Sequence, residues 1–168
     1  PKSVEQKKST SYVQLIELFK TWRAFQPPVI KEGIPDYSVA AMKHQHQELN
    51  EWKQKLHNFD TTGWPVKHQA DWYLIYAEMN GLDFDHRVLR TWERDPAFYR
   101  TLWMERSDVP GHEGPTHHAI IDLWTYQFPL TSESKEKLIS ELRVIAPLNE
   151  QAKLNLTGNA RDLWIAGI

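Results

Sequence analysis

Apolar side chains recur at three- and four-residue spacing along most of this chain, the period of a helix that buries one face. Tyr12, Leu15, Ile16, Phe19 and Trp22 predict a helix from Ser11, stopped by Pro27-Pro28. A second apolar seam, Met42, His46, Leu49, Trp52, Leu56 and Phe59, predicts a helix to about Asn58, capped by Asp36 or Ser38 after the loop "KEGIPDYS". His46 falls inside that seam and His44 outside it, so "HQH" is a poor metal pair. The third helix is expected over about Pro65 to Asn80, with Pro65 at its first position. It is apolar on two sides, Val66, Ala70, Tyr73, Leu74 and Ala77 against Trp72, Ile75, Tyr76 and Met79, which predicts a central helix. Gly81 fits the left-handed position past its end.

Further along, "RDPAFYRTLW" reads as a restarted helix with Asp95 as cap and Pro96 first. "RSDVPGHEGPT" is a Gly/Pro loop. "HHAIIDLWTYQF" fits strand or helix, and its helical neighbours favour helix. "PLTSESKEKLISEL" opens a helix capped by Thr131 or Ser132. Pro147 is expected to break or kink it, "LNEQAKLNL" to continue it, and "TGNARDLWIAGI" to start another. Pro1 to Thr10 is polar and expected to be flexible. With no convincing strand or repeat, the predicted class is all-α: a single helical (sub)domain of about seven to eight helices over residues 1–168. The chain opens at Pro1 and stops inside an apolar stretch. It is therefore read as an N-terminal fragment, an incomplete piece of a larger helical fold.

Composition narrows the function classes. The 168 residues carry 20 basic and 22 acidic side chains, a net charge of −2, which argues against a nucleic-acid partner. There is no cysteine, so disulfides, thiolate metal sites and thiol catalysis are excluded. No apolar run reaches the ~18 residues of a membrane span. The eight Trp read as core anchors more readily than as a stacking platform for sugars or peptides.

Two stretches invite a chemical reading. "GHEGPTHH" holds His112, Glu113, His117 and His118, but His112 and His117 are five apart with Gly114-Pro115 between them. The helix-borne His-Glu-x-x-His zinc motif is not met, and a loop metal site would need ligands from elsewhere. "NGLDFDHRVLRTWERDPAFY" crowds Asp83, Asp85, His86, Arg87, Arg90, Glu93, Arg94 and Asp95 among large apolar residues. Projected as a helix starting at Asp83, it puts Leu82, Phe84, Val88, Leu89 and Trp92 on an apolar arc. Asp83, Arg87, Arg90 and Arg94 fall on the opposite face, with His86 and Glu93 at the edge. Asp83 and Arg87 are then an i,i+4 pair. Asp85 points into the apolar arc. It reads either as a first-turn carboxylate held by free N–H groups, or as a buried carboxylate that needs a cationic partner near a cleft. No Gly-x-Ser-x-Gly elbow or phosphate-binding Gly loop is present.

"WPVKHQADWYLIYAEMNGLDFDHRVLRTWERDPAFY", with "FPLT" and "LNEQAKLNLTGNARDLWIAGI" further on, resembles the N-terminal part of a large bacterial family known as domain of unknown function 885. The resemblance runs from about Tyr12 to Ile168 and is densest at Trp64–Tyr99. It implies a long helical protein, often exported or lipid-anchored, distantly similar to gluzincin-type zinc metallopeptidases. The family's metal segment lies far downstream, and no position here matches it. No catalytic residue or cofactor is therefore carried over to this chain, and zinc is expected only in a full-length protein acting on peptides. The resemblance thus implies a helical scaffold segment, inactive alone, of an exported or periplasmic hydrolase. The alternatives are a helical binding or assembly module, meeting the rest of its own chain or a second copy through an apolar face, and a local metal site at 112–118.

Overall fold

The structure is a computed structural model that describes residues 9–106 and 120–157. The protein is mostly helical, with two very short sheets beside the helices. The chain forms two compact units, Pro1–Gln26 with Met42–Leu89, and Pro27–Ala41 with Arg90–Ile168.

The first unit is a three-helix bundle of α1 (Tyr12–Phe25), most of α2 (Val39–His57) and α3 (Val66–Phe84). Ser11 caps α1 by accepting from the Gln14 N–H, leaving one fewer orphan donor at the helix start. The predicted seams meet in the core: Leu15 and Trp22 from α1, Leu49 and Leu56 from α2, Ile75 and Met79 from α3 are all buried. Cross-ties fix the helix directions. The Tyr12 hydroxyl donates to Asp71, the Trp22 indole donates to Glu78, and the Trp72 indole donates to the Leu56 carbonyl. The Ser9 backbone pairs with Asn58 and Asp60, so the end of the segment expected to be flexible is anchored; residues 1–8 lie outside the described residues.

Two expectations for α3 fail here. The helix does not stop at Asn80. Gly81 is helical, and the helix continues to Phe84 and passes directly into a π-helical turn, Asp85–Leu89. Nor is α3 buried all round. Trp72, Ile75, Tyr76 and Met79 pack inward, whereas Val66, Tyr73 and Leu74 are 82%, 63% and 64% exposed.

The second unit holds the strands that the sequence pattern does not announce. At the start of "KEGIPDYS" and the residue before it, β1 (Ile30–Lys31) and β2 (Ile34–Pro35) form an antiparallel hairpin. Its two turn residues, Glu32 and Gly33, both have positive φ, 52° and 83°, as a two-residue turn matching strand twist requires. Ser38 then caps α2 by accepting from the Ala41 N–H. The expected helix "RDPAFYRTLW" becomes a 3-10 turn, Pro96–Tyr99, followed by β3 (Leu102–Trp103); Asp95 does cap that turn, accepting from the Ala97 N–H. The helix favoured for "HHAIIDLWTYQF" is also replaced. Ile121–Asp122 is β4, parallel to β3, and Leu123–Thr125 is a 3-10 turn. Short α4 (Thr91–Arg94), α5 (Ser132–Leu142, capped by Thr131) and α6 (Ile145–Asn155) complete the unit. The break between α5 and α6 falls at Arg143–Val144. Pro147 sits in the first turn of α6, where a missing N–H costs nothing. "TGNARDLWIAGI" lies outside the described residues beyond Thr157.

The core of this unit is organised around α6. The Gln151 side chain accepts from the Tyr37 N–H at 2.7 Å and donates to the Pro35 carbonyl at 2.9 Å, pairing with β2 as a neighbouring strand would. Asn155, 3% exposed, donates to the Tyr37 carbonyl and to the Tyr99 hydroxyl. Tyr99 in turn donates to the Trp92 carbonyl. A buried amide with its protons spent in this way avoids the penalty of unpaired polar burial.

Candidate functional site

The densest polar arrangement among the described residues lies in the first unit, where α2 faces the end of α3. Its centre is Asp83, whose side chain is 17% exposed. One carboxylate oxygen accepts from His46 Nε2 at 3.1 Å. The other faces Arg87 Nε at 2.9 Å and Lys53 Nζ at 3.2 Å. His46 and Lys53 are two turns apart on one face of α2, so a single carboxylate between them joins α2 to α3. Burial pushes the Asp83 carboxyl up, but hydrogen bonds from His46, Arg87 and Lys53 outweigh it and hold it at about 2.

One turn on, His86 lies flat against His46, with ring centroids 5.0 Å apart and planes 8° from parallel. Its Nε2 meets Gln45 Oε1 at 2.9 Å, and Gln45 Nε2 donates to the Gln26 carbonyl at the end of α1 at 3.0 Å. With Gln45 Oε1 as acceptor, the neutral imidazole carries its proton on Nε2. Burial and the neighbouring His46 lower the His86 pKa to about 4, against the opposing pull of Asp83.

This geometry departs from the helical projection of the sequence. The projection puts Asp83 on the solvent face, and it sits inward. The projection puts Phe84, Val88 and Leu89 inward, and they are 46%, 44% and 47% exposed. The physical reason is phase. Because α3 runs unbroken through Gly81, the core stripe Trp72, Ile75, Tyr76, Met79 extends at the same spacing onto Asp83 and His86. Starting a new helix at Asp83 loses that phase. Asp85 is therefore the C-cap of α3 rather than a first-turn residue, and the N-terminal dipole argument does not apply to it. It is half-buried and has a partner. The Asp83–Arg87 pair forms as spaced.

Arg90 belongs to the second unit, has φ 53°, and pairs through two of its nitrogens with Glu93. Arg94 is half-buried rather than solvent-facing. His44 pairs with Glu48 while its neighbour but one, His46, turns to Asp83, so the two rings diverge. Sequence reasoning missed Gln45, Lys53, Gln151 and Asn155. For Lys53 the seven-residue spacing from His46 was the available signal.

His112, Glu113, His117 and His118 lie outside the described residues. Among the described residues no three His, Asp or Glu side chains converge as metal ligands, and no helix is long and apolar enough to cross a membrane. The zinc that the resemblance implies does not fit the Asp83 corner. Lys53 and Arg87 already share the carboxylate and would repel a divalent ion, and Gln45 occupies His86 Nε2. The second unit has an open groove between the β1–β2 hairpin and α6. Within its lining, Lys31 pairs with Asp36, Glu150 with Lys153, and Gln151 with the backbone of Pro35 and Tyr37. No protein-family model matches the chain, and no curated protein and no solved structure matches it either.

Proposed function

We propose that this chain is a helical scaffold segment of a zinc-dependent, peptidase-like hydrolase, contributing structure rather than catalytic groups. The family link rests on the signature Trp64–Tyr99. The scaffold role is supported by one observation above others: the signature's central carboxylate, Asp83, is taken up by His46, Lys53 and Arg87. A carboxylate so engaged is a poor base or metal ligand, because it would first have to give up those partners. The test has two arms. Zinc-loaded chain is assayed on casein and on short peptides, with no turnover above the blank expected; turnover abolished by a chelator refutes the scaffold role. The encoded sequence following Ile168 is then read. A helix-borne His-Glu pair with a downstream Glu supports the hydrolase link, and an immediate stop codon removes it.

A second reading is favoured by α3. Ala70, Leu74, Ala77, Gly81, Phe84 and Val88 follow one another at alternating four- and three-residue spacing, and Leu74, Phe84 and Val88 are exposed. That is the spacing of a helix–helix seam, and nothing lies within 4 Å of a Cβ placed on Gly81. In this reading the chain is an assembly module that pairs with a second copy through this face. Concentration-dependent sedimentation supports it, and a monomer at all concentrations ends it.

A further inference from the structure

We propose that Asn80-Gly81 is a one-way modification site: α3 seals it while intact, and where that stretch opens Asn80 loses ammonia and the Asp83 clamp to α2 is broken.

The chemistry is set by the residue order. Among the asparagines of the chain, Asn80 is the one followed by glycine. The Gly81 main-chain nitrogen attacks the Asn80 Cγ and closes a cyclic imide. Its proton leaves with the side-chain nitrogen as ammonia. Water then opens the ring. Cleavage between Cγ and the Gly81 nitrogen gives aspartate, and cleavage between that nitrogen and the Asn80 main-chain carbonyl carbon gives isoaspartate. Water is the sole co-reactant. A glycine nitrogen is the least hindered nucleophile for this step, because no Cβ stands beside it.

The structure adds what the dipeptide alone does not show. α3 runs through both residues, so the Gly81 N–H lies within the i→i−4 ladder. The helical backbone also turns that nitrogen away from the Asn80 Cγ. The nucleophile is therefore out of reach while the helix is intact. The seal is nonetheless placed at a weak point. Glycine is the poorest helix former after proline, and nothing lies within 4 Å of a Cβ built on Gly81. Asn80 is half-buried, and no described residue hydrogen-bonds its amide. The side chain is thus able to turn once the main chain does, and helices open locally without global unfolding.

The consequence falls on Asp83, one turn further along α3, which joins α3 to α2 through His46 and Lys53. Isoaspartate carries the main chain through its own side chain and so adds a methylene to the backbone. A helix that takes such an insertion loses its i→i−4 register. Register is what keeps Asp83 in phase with the buried Ile75 and Met79 and aimed at α2. A lesion at residue 80 thus reaches the clamp through the backbone, without touching the carboxylate.

Timed incubation of the whole chain at neutral pH, native and in urea, tests this. Peptide mass spectrometry with chromatographic separation of aspartate from isoaspartate reads residue 80. The unfolded chain should modify Asn80 before any other asparagine, and the native chain should do so roughly tenfold or more slowly. Gly81→Ala should slow the native reaction by a larger factor than the unfolded one, because it strengthens the helix as well as hindering the nitrogen. Chain carrying isoaspartate at residue 80, made in urea and refolded, should unfold at lower urea than Asn80→Asp, which brings the same charge without the methylene. That difference should shrink in an Asp83→Asn background, where the clamp is already lost. Equal native and unfolded rates, or another asparagine reacting first in urea, overturn the proposal. So does an equal slowing by Gly81→Ala in both states. An isoaspartate chain as stable as Asn80→Asp, or a difference undiminished in Asp83→Asn, overturns it as well.

Discussion

His46 and Asp83 meet across the interface of α2 and α3, imidazole Nε2 to carboxylate Oδ1 at 3.1 Å. They are 37 residues apart in sequence, and they mark the point where an apolar seam on each helix gives way to charge. On α2 His46 continues the line of Met42 and Leu49. On α3 Asp83 continues the line of Ile75 and Met79. Two helices that bury hydrocarbon along most of their length thus close with an ion cluster, which sets their register as well as their contact.

Asp83→Asn should consequently be the most damaging conservative change in the signature. An amide keeps the shape, but it cannot balance Lys53 and Arg87, and the lost charge-assisted hydrogen bonds are worth about 1.5–3 kcal/mol. Urea unfolding at neutral pH checks the size. The pH dependence gives the sign. The folded-state value of Asp83 lies below its ordinary 3.8, at about 2. Its contribution is fully present above about pH 3.8 and is lost as pH falls through about 2. Asp83→Asn should flatten that acid limb. Asp85→Asn should be the milder of the two, and a larger loss from Asp85→Asn would show that the hub lies there.

Much of this fold was legible along the chain and little of the site was. Caps are local, and Ser11, Ser38, Thr131 and Asp95 stand where side-chain oxygens can meet the next free N–H groups. The seams of α1 and α2 also read directly, because periodicity needs only one helix. What failed was phase and length. Gly81 carried a stop signal that the surrounding helix overrode, and the apolar Phe84, Val88 and Leu89 then suggested an inward face of their own. Strands of two residues are too short to show alternation. Contacts such as Asn155 with Tyr37, 118 residues apart, leave no local pattern at all.

That last contact is open to test. Asn155 is 3% exposed and spends both amide protons, on the Tyr37 carbonyl and the Tyr99 hydroxyl. Asn155→Leu removes the donors and leaves two buried oxygens short of a partner, a loss of about 1–3 kcal/mol. Thermal unfolding followed by tyrosine near-ultraviolet dichroism should show an earlier transition. An unchanged transition would mean that the amide is not what ties α6 to the residues around Tyr37.

The β1–β2 turn offers a stabilising change. Glu32 holds φ 52° with a side chain that ordinarily disfavours it, next to Gly33 at φ 83°. Asn tolerates the left-handed region better and is the preferred partner of Gly in this turn, so Glu32→Asn should add a few tenths to about 1 kcal/mol. Gly33→Ala should cost about 1 kcal/mol through backbone strain alone, since open space surrounds the added Cβ. Paired denaturation curves of the two variants should move in opposite directions from wild type.

The exposed side of α3 separates folding from assembly. Leu74 is 64% exposed and lies within the Ala70–Val88 stripe, where it contributes little to the core formed by Ile75 and Met79 on the opposite face. Leu74→Lys should therefore leave the unfolding free energy within about 0.5 kcal/mol of wild type. If a second copy packs on this face, the same change places a cation in an apolar seam and weakens association at least tenfold, equivalent to about 1.4 kcal/mol. Sedimentation velocity across a concentration series reads the association, and a urea curve reads the fold. Loss of association at unchanged stability assigns the stripe to assembly. Unchanged association in Leu74→Lys removes the stripe as the contact, and a large loss of stability would instead make α3 the buried central helix that its apolar sequence suggests.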